Sequence, residues 1–88
     1  MSNFYRFPAM AKLNERDNAD QIAKIDEEVS EAREAYFSSV DEIAYGVELM
    51  DIIQATETAL RMNFTDEEVE HLRQLTIEKN RKRGYYGE

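Results

Sequence analysis

Apolar residues recur at helical spacing through most of the chain, beginning after a polar stretch over 14–20. Steps of three or four residues are typical of an α-helix with one buried face. The first such pattern predicts a helix over 20–37. Its apolar stripe consists of Ile22, Ile25, Val29, Ala32 and Tyr36.

The next apolar stretch predicts a helix over 41–62 whose apolar residues do not share one face. They occupy three sides of the helix. Ile43, Val47 and Met50 form the first side, and Leu49, Ile53 and Leu60 form the second. The third consists of Ile52, Ala55 and Ala59. A helix that is apolar on most sides is central in its assembly. Because 88 residues cannot easily surround such a helix, we expect part of it to face another subunit.

Capping signals divide these segments. Three residue pairs fit the N-terminal pattern of a short polar side chain followed three residues later by Glu or Gln. They are Asn18 and Gln21, Ser39 and Glu42, and Thr65 and Glu68. Thr65 then begins a last helix that reaches 81 or 82. Asn63, in a left-handed conformation, is expected to end the middle helix, and Gly84 to stop the last one. Pro8 suits the first turn of a helix, so residues 9–13 are expected to form a short helix or the start of a long one.

Few helix breakers are present, with three Gly and one Pro. The predicted fold is therefore all-α, a single domain over 1–88. It is an antiparallel helical bundle of three to four helices per chain, completed by homo-oligomerisation. A chain of this size buries only about 60% of its unfolded surface, so support from a metal or a partner subunit is expected.

The composition excludes several classes of function. The formal charge is −8, from nineteen acids and eleven bases, which disfavours a nucleic acid polymer as partner. No apolar run approaches the length of a membrane span. The absence of cysteine excludes disulfides and a thiol nucleophile, and fits a cytoplasmic location.

Two clusters of acidic residues carry the candidate chemistry, one on each long helix. The first helix carries Glu27, Glu28 and Glu31, and the second carries Glu48 and Asp51. The short link between the helices requires a hairpin, in which the two clusters can converge. Oxygen ligands of this kind favour Mg²⁺, or Mn²⁺, over zinc.

Some of these five acids can instead be ordinary solvent-exposed residues. Glu27 and Glu31 lie about 140° or more from the apolar stripe of their helix, on the side that periodicity assigns to solvent. Glu28 borders that stripe. Glu48 and Asp51 interrupt an apolar helix, where acids are rarely left unpaired.

The complete pattern resembles the signature of MazG-like nucleotide pyrophosphohydrolases. It consists of Glu27-Glu28-x-x-Glu31, a spacer of sixteen residues, and Glu48-x-x-Asp51. That family belongs to the all-α NTP pyrophosphohydrolase superfamily, and all five of its acidic positions match here. So short a version would suit a phage or prophage setting.

The resemblance implies a specific activity. Such enzymes use Mg²⁺ to cleave a nucleoside triphosphate into the monophosphate and pyrophosphate, by attack of a metal-activated water. Short members of the family work as dimers or tetramers. The resemblance makes all five acids metal ligands or groups that orient the water. It also makes one of Glu27, Glu28 and Glu31 a catalytic base, unless a hydroxide on the metal takes that part.

The basic end of the last helix is the second candidate region. It resembles the basic C-terminal segment of that family, which implies substrate binding by Lys79, Asn80, Arg83 and Tyr85. The alternative is a basic helix terminus stabilised by its own dipole. For the whole chain, the alternative function is a non-enzymatic acidic helical module that oligomerises, binds a protein partner and keeps a vestigial metal site.

Overall fold

The structure, a computed structural model, describes residues 4–38 and 41–87 and is all-helical over those residues. In the described residues, a 3₁₀ turn at Leu13–Glu15 precedes three long helices, which are α1 (Asn18–Ser38), α2 (Glu42–Asn63) and α3 (Asp66–Lys82). The all-α prediction is confirmed, and no described helix is long and apolar enough to cross a membrane.

Helices α1 and α2 form an antiparallel hairpin, which is the most extensive packing between elements. At its open end the side chains of Asn18 and Asn63 hydrogen-bond to each other. At the turn end the rings of Tyr36 and Tyr45 lie 5.3 Å apart between centroids. The start of α1 thus lies beside the end of α2, and the end of α1 lies beside the start of α2. The two helices are therefore antiparallel. The three-sided α2 turns the sector of Ile52, Ala55 and Ala59 inward, where Ala55 is buried.

The N-terminal segment, residues 4–16, lies along the second half of α2. The buried carboxylate of Glu57 accepts hydrogen bonds from the backbone N–H groups of Arg6 (2.9 Å) and Phe7 (3.0 Å). Arg61 donates to the Phe7 carbonyl, and its guanidinium lies 3.9 Å from the centre of the Tyr5 ring. Burial raises the pKa of the Tyr5 hydroxyl above its ordinary value. The three aromatic residues of this segment, Phe4, Tyr5 and Phe7, are half-buried and belong to the body of the fold.

Replacing Glu57 with Gln is expected to release this segment. The side-chain amide of glutamine has the same volume, but its NH₂ group would face a backbone N–H group, and two donors cannot form a hydrogen bond. The loss of a charge-assisted hydrogen bond at a buried site costs about 2 kcal/mol in the free energy of unfolding. Urea denaturation measures that change, and hydrogen exchange reports the amides of Arg6 and Phe7. Glu70→Gln, at an exposed position, is the matched control. Unchanged exchange at both amides in Glu57→Gln would contradict the assignment.

The ends of the helices differ from several predictions. The prediction of a helix over 9–13 is wrong, because Lys12 lies in the left-handed region with φ of 59° and a 3₁₀ turn follows it. Asn18 is not the cap of α1, since the carboxylate of Asp17 accepts from the N–H of Ala19 at 2.6 Å. An Asp immediately upstream supplies a charged acceptor for the first turn.

The caps of the other two helices follow different rules. Ser39 lies outside the described residues, and Asp41 caps α2 by accepting from the N–H groups of Ile43 and Ala44. Asn63 ends α2 without a left-handed conformation, because the chain becomes extended at Phe64. The Asn63 side chain donates to the Ala59 carbonyl. The capping box of Thr65 and Glu68 is confirmed.

The apolar core of the described residues is small, and much apolar surface is exposed. The buried apolar residues are Ala32, Ala55 and Val69. Helix α3 packs far less extensively on the hairpin than α1 and α2 pack on each other. One side of α2 stays open near its start, where Ile43 is 75%, Val47 53% and Met50 54% exposed.

Candidate metal centre

The hairpin brings the five acids of α1 and α2 into two overlapping groups. One carboxylate oxygen from each of Glu27, Glu28 and Glu31 lies within 4.8 Å of the other two. The same holds for Glu28, Glu48 and Asp51. Glu28 belongs to both groups, so it joins the acids of α1 to those of α2.

The five acids differ in exposure. Glu28 is buried, with 6% of its surface exposed, Glu48 is half-buried, and Glu27, Glu31 and Asp51 are exposed. The sequence pattern placed Glu28 beside the apolar stripe and put Glu27 and Glu31 towards solvent, which agrees with this arrangement. The cluster is therefore open to solvent on one side and closed at Glu28.

Lys24 forms ion pairs with two acids of the first group. Its Nζ lies 3.2 Å from a Glu28 oxygen and 3.6 Å from a Glu27 oxygen. The hydrogen bond to Glu28 and the charge of Glu27 raise the pKa of Lys24, in that order. Sequence reasoning did not single out Lys24, although positions three and four residues before an acid form ion pairs on a helix.

The remaining negative charge of the cluster is less well compensated. Glu48 Oε2 is buried and accepts no hydrogen bond within the part of the chain that the structure describes. Repulsion by Glu28 is the first cause that raises the pKa of Glu31, followed by burial and by the charge of Glu48. Crowded carboxylates with an unpaired buried oxygen form a donor set that suits a hard divalent cation.

A cavity of about 270 Å³ opens beside the second group. Its floor contains the buried side chains Gln21, Ala55 and Thr58, and Glu28 and Asp51 form its acidic end. Met10 and Arg16 from the N-terminal segment also line it, and Arg16 hydrogen-bonds to Gln21, about two turns of α1 before Glu28. The carboxylates are thus one end of a concave site, which is the usual setting of a small-molecule site.

The predicted substrate-binding residues at the C-terminus lie elsewhere. Lys79, Asn80, Arg83 and Tyr85 do not line this cavity. The Asn80 carbonyl accepts from the backbone N–H groups of Arg83 and Tyr85, and the Tyr85 side chain is exposed. The chain therefore does not bring its basic end into the cavity beside its acids.

Two of the cavity residues were not predicted to belong to a site. Arg16 lies in the polar stretch over 14–20, and the sequence predicts Gln21 only as part of a capping box. Its amide instead donates to the Ala55 carbonyl on α2 at 2.9 Å and accepts from Arg16 Nε at 3.2 Å. These contacts cross between segments, so spacing along the chain does not reveal them.

Comparison of the chain with protein-family models, with curated proteins and with solved structures gives no match. The resemblance to MazG-like enzymes therefore rests on the five acids and on the basic C-terminal segment.

Proposed function

We propose that this protein is a Mg²⁺-dependent nucleoside triphosphate pyrophosphohydrolase of the MazG-like type, acting as a homo-oligomer. The observation that carries the proposal is the pair of carboxylate groups that share Glu28. Two overlapping oxygen sets match the requirement of phosphoryl chemistry for one cation or a bridged pair of cations.

The residues of the chain have distinct parts in this proposal. Glu27, Glu28, Glu31, Glu48 and Asp51 hold Mg²⁺ or Mn²⁺. A bound divalent cation offsets the charge of the phosphates and makes a water more acidic. Lys24 keeps Glu27 and Glu28 oriented, and the exposed carboxylates leave one side of the cluster accessible to solvent and substrate.

Association of subunits is supported by the exposed apolar side of α2. The apolar side of Ile43, Val47 and Met50 is exposed on a chain whose buried apolar core is small. A second copy is the occupant that we propose, because large exposed apolar patches mark interaction surfaces. It also supplies basic residues, such as Lys79 and Arg83, that complement the acids.

The direct test is release of pyrophosphate from a panel of NTPs and dNTPs with Mg²⁺. The expected result is release of equal amounts of monophosphate and pyrophosphate. Folded protein that releases nothing from any nucleotide would refute the enzyme and leave the non-enzymatic acidic module. Release of orthophosphate alone would refute cleavage between the α and β phosphates.

Asp51→Asn gives a prediction with opposite signs for activity and stability. Removal of one charge from the group of Glu28, Glu48 and Asp51 relieves repulsion. The Tm of the variant without metal should therefore be a few degrees higher. A gain of about 0.5 kcal/mol in the free energy of unfolding corresponds to such a shift in a domain of this size. Turnover should be lost, together with the rise in Tm that Mg²⁺ causes in the wild type. Differential scanning fluorimetry with and without Mg²⁺ measures both shifts. A variant with full activity would show that these acids are not the site.

A further inference from the structure

We infer that the cavity beside Asp51 holds the nucleobase end of the substrate and that Arg16 reads the base. This inference rests on the proposed function for the class of ligand. It assigns to the N-terminal segment a specificity that the five acids do not provide.

The size of the cavity fits one end of a nucleotide. Sites for whole drug-sized ligands measure about 300–1,000 Å³, and this cavity measures about 270 Å³. The carboxylates at its acidic end would hold cations and, with them, the phosphates. The base is then the part of the molecule that extends towards Met10 and Arg16.

The lining favours an uncharged ring over a phosphate. Of the two cationic side chains in the lining, Lys24 is already paired with Glu28. Arg16 alone would face several phosphate charges, above a floor in which Ala55 and Thr58 are buried. Moving such charge out of water without matching partners is costly. An uncharged planar base loses much less hydration free energy when it is buried against the same residues.

The guanidinium of Arg16 is oriented for recognition. Its Nε donates to the Gln21 amide oxygen at 3.2 Å, and Gln21 is fixed by its hydrogen bond to the Ala55 carbonyl. Within the described residues, neither Nη group of Arg16 has a hydrogen-bond partner. Two parallel N–H donors at the end of an anchored arginine can therefore face the ligand.

A pair of donors selects a base edge with two adjacent acceptors. Guanine has such an edge in N7 and O6, and cytosine has one in N3 and O2. Adenine pairs one acceptor with a donor there, and uracil has an N–H group between its carbonyl oxygens. The inference is therefore that guanine and cytosine nucleotides bind better than adenine and uracil nucleotides.

The experiment compares binding of four α,β-imido nucleoside triphosphates, which resist cleavage, by calorimetry with Mg²⁺. The wild type should bind the guanine and cytosine analogues about tenfold or more tightly than the other two. Arg16→Met should remove this preference while it leaves the Tm shift by Mg²⁺ alone unchanged. Arg73→Met is the matched control, because Arg73 pairs with Glu70 on α3 and should keep the preference.

Two outcomes would overturn the inference. In the first, Arg16→Met keeps the base preference of the wild type. In the second, it weakens all four analogues equally, which would make Arg16 a phosphate contact. Failure of the proposed function is a separate result, because it appears as wild-type protein that releases no pyrophosphate from ordinary nucleotides. Base preference among the imido analogues does not depend on cleavage.

Discussion

Glu28→Gln is expected to lower Mg²⁺-dependent pyrophosphate release by more than about 100-fold, a larger loss than partners of metal ligands usually cause. Glu28 is the acid that belongs to both carboxylate groups, so one substitution weakens both. The neutral amide has almost the same volume, and it removes a buried charge that raises the pKa of Glu31. The fold without metal should therefore be retained.

The measurement is steady-state release of pyrophosphate over a Mg²⁺ titration, with circular dichroism to verify the helices. Glu67→Gln makes the same chemical change at an exposed position in the first turn of α3 and should keep wild-type activity. If excess Mg²⁺ restores turnover fully in Glu28→Gln, Glu28 contributes to affinity for the metal and not to the reaction. If turnover is unchanged at every Mg²⁺ concentration, the shared carboxylate is not part of the site.

Val47→Glu should weaken self-association by about 30-fold or more. Val47 lies between Ile43 and Met50 on the open side of α2, and all three are more than half exposed. A carboxylate buried in an apolar interface costs about 2 kcal/mol or more, which corresponds to that change in the dissociation constant. Sedimentation velocity over a range of concentrations measures the shift from oligomer to monomer.

The control for this change adds the same charge to a polar surface. Gln74→Glu lies on α3, where the Gln74 side chain is exposed and hydrogen-bonds to Glu70. It should leave the association constant within about twofold, as expected for a surface substitution. Wild-type association in Val47→Glu would place the interface elsewhere. A wild-type protein that is monomeric at all concentrations would contradict the oligomer itself.

The long helices were predictable because their signals are local. The stripe from Ile22 to Tyr36 predicted α1 over 20–37, and the structure has Asn18–Ser38. Thr65 and Glu68 predicted the start of α3 through contacts only three residues apart. Caps were less predictable where several short polar residues compete, as Asp17 and Asn18 do at the start of α1.

The candidate site was predictable only in part. The five acids could be found because their spacing repeats the helical period, and the short link brings α1 beside α2. The role of Glu57 could not be found in the same way. That carboxylate binds backbone N–H groups about fifty residues away, and backbone donors carry no sequence signal.

The sequence by itself determined the helices, their hairpin and the set of acids that the hairpin can assemble. Periodicity and capping act over three or four residues, which is the distance at which a sequence pattern carries structural information. Only the tertiary structure decided that Glu28 is buried and shared by both carboxylate groups, and that Arg16 and Asp51 line one cavity. The first feature depends on how α1 packs on α2, and the second also depends on how the N-terminal segment docks on α2. Contacts between distant segments fix both.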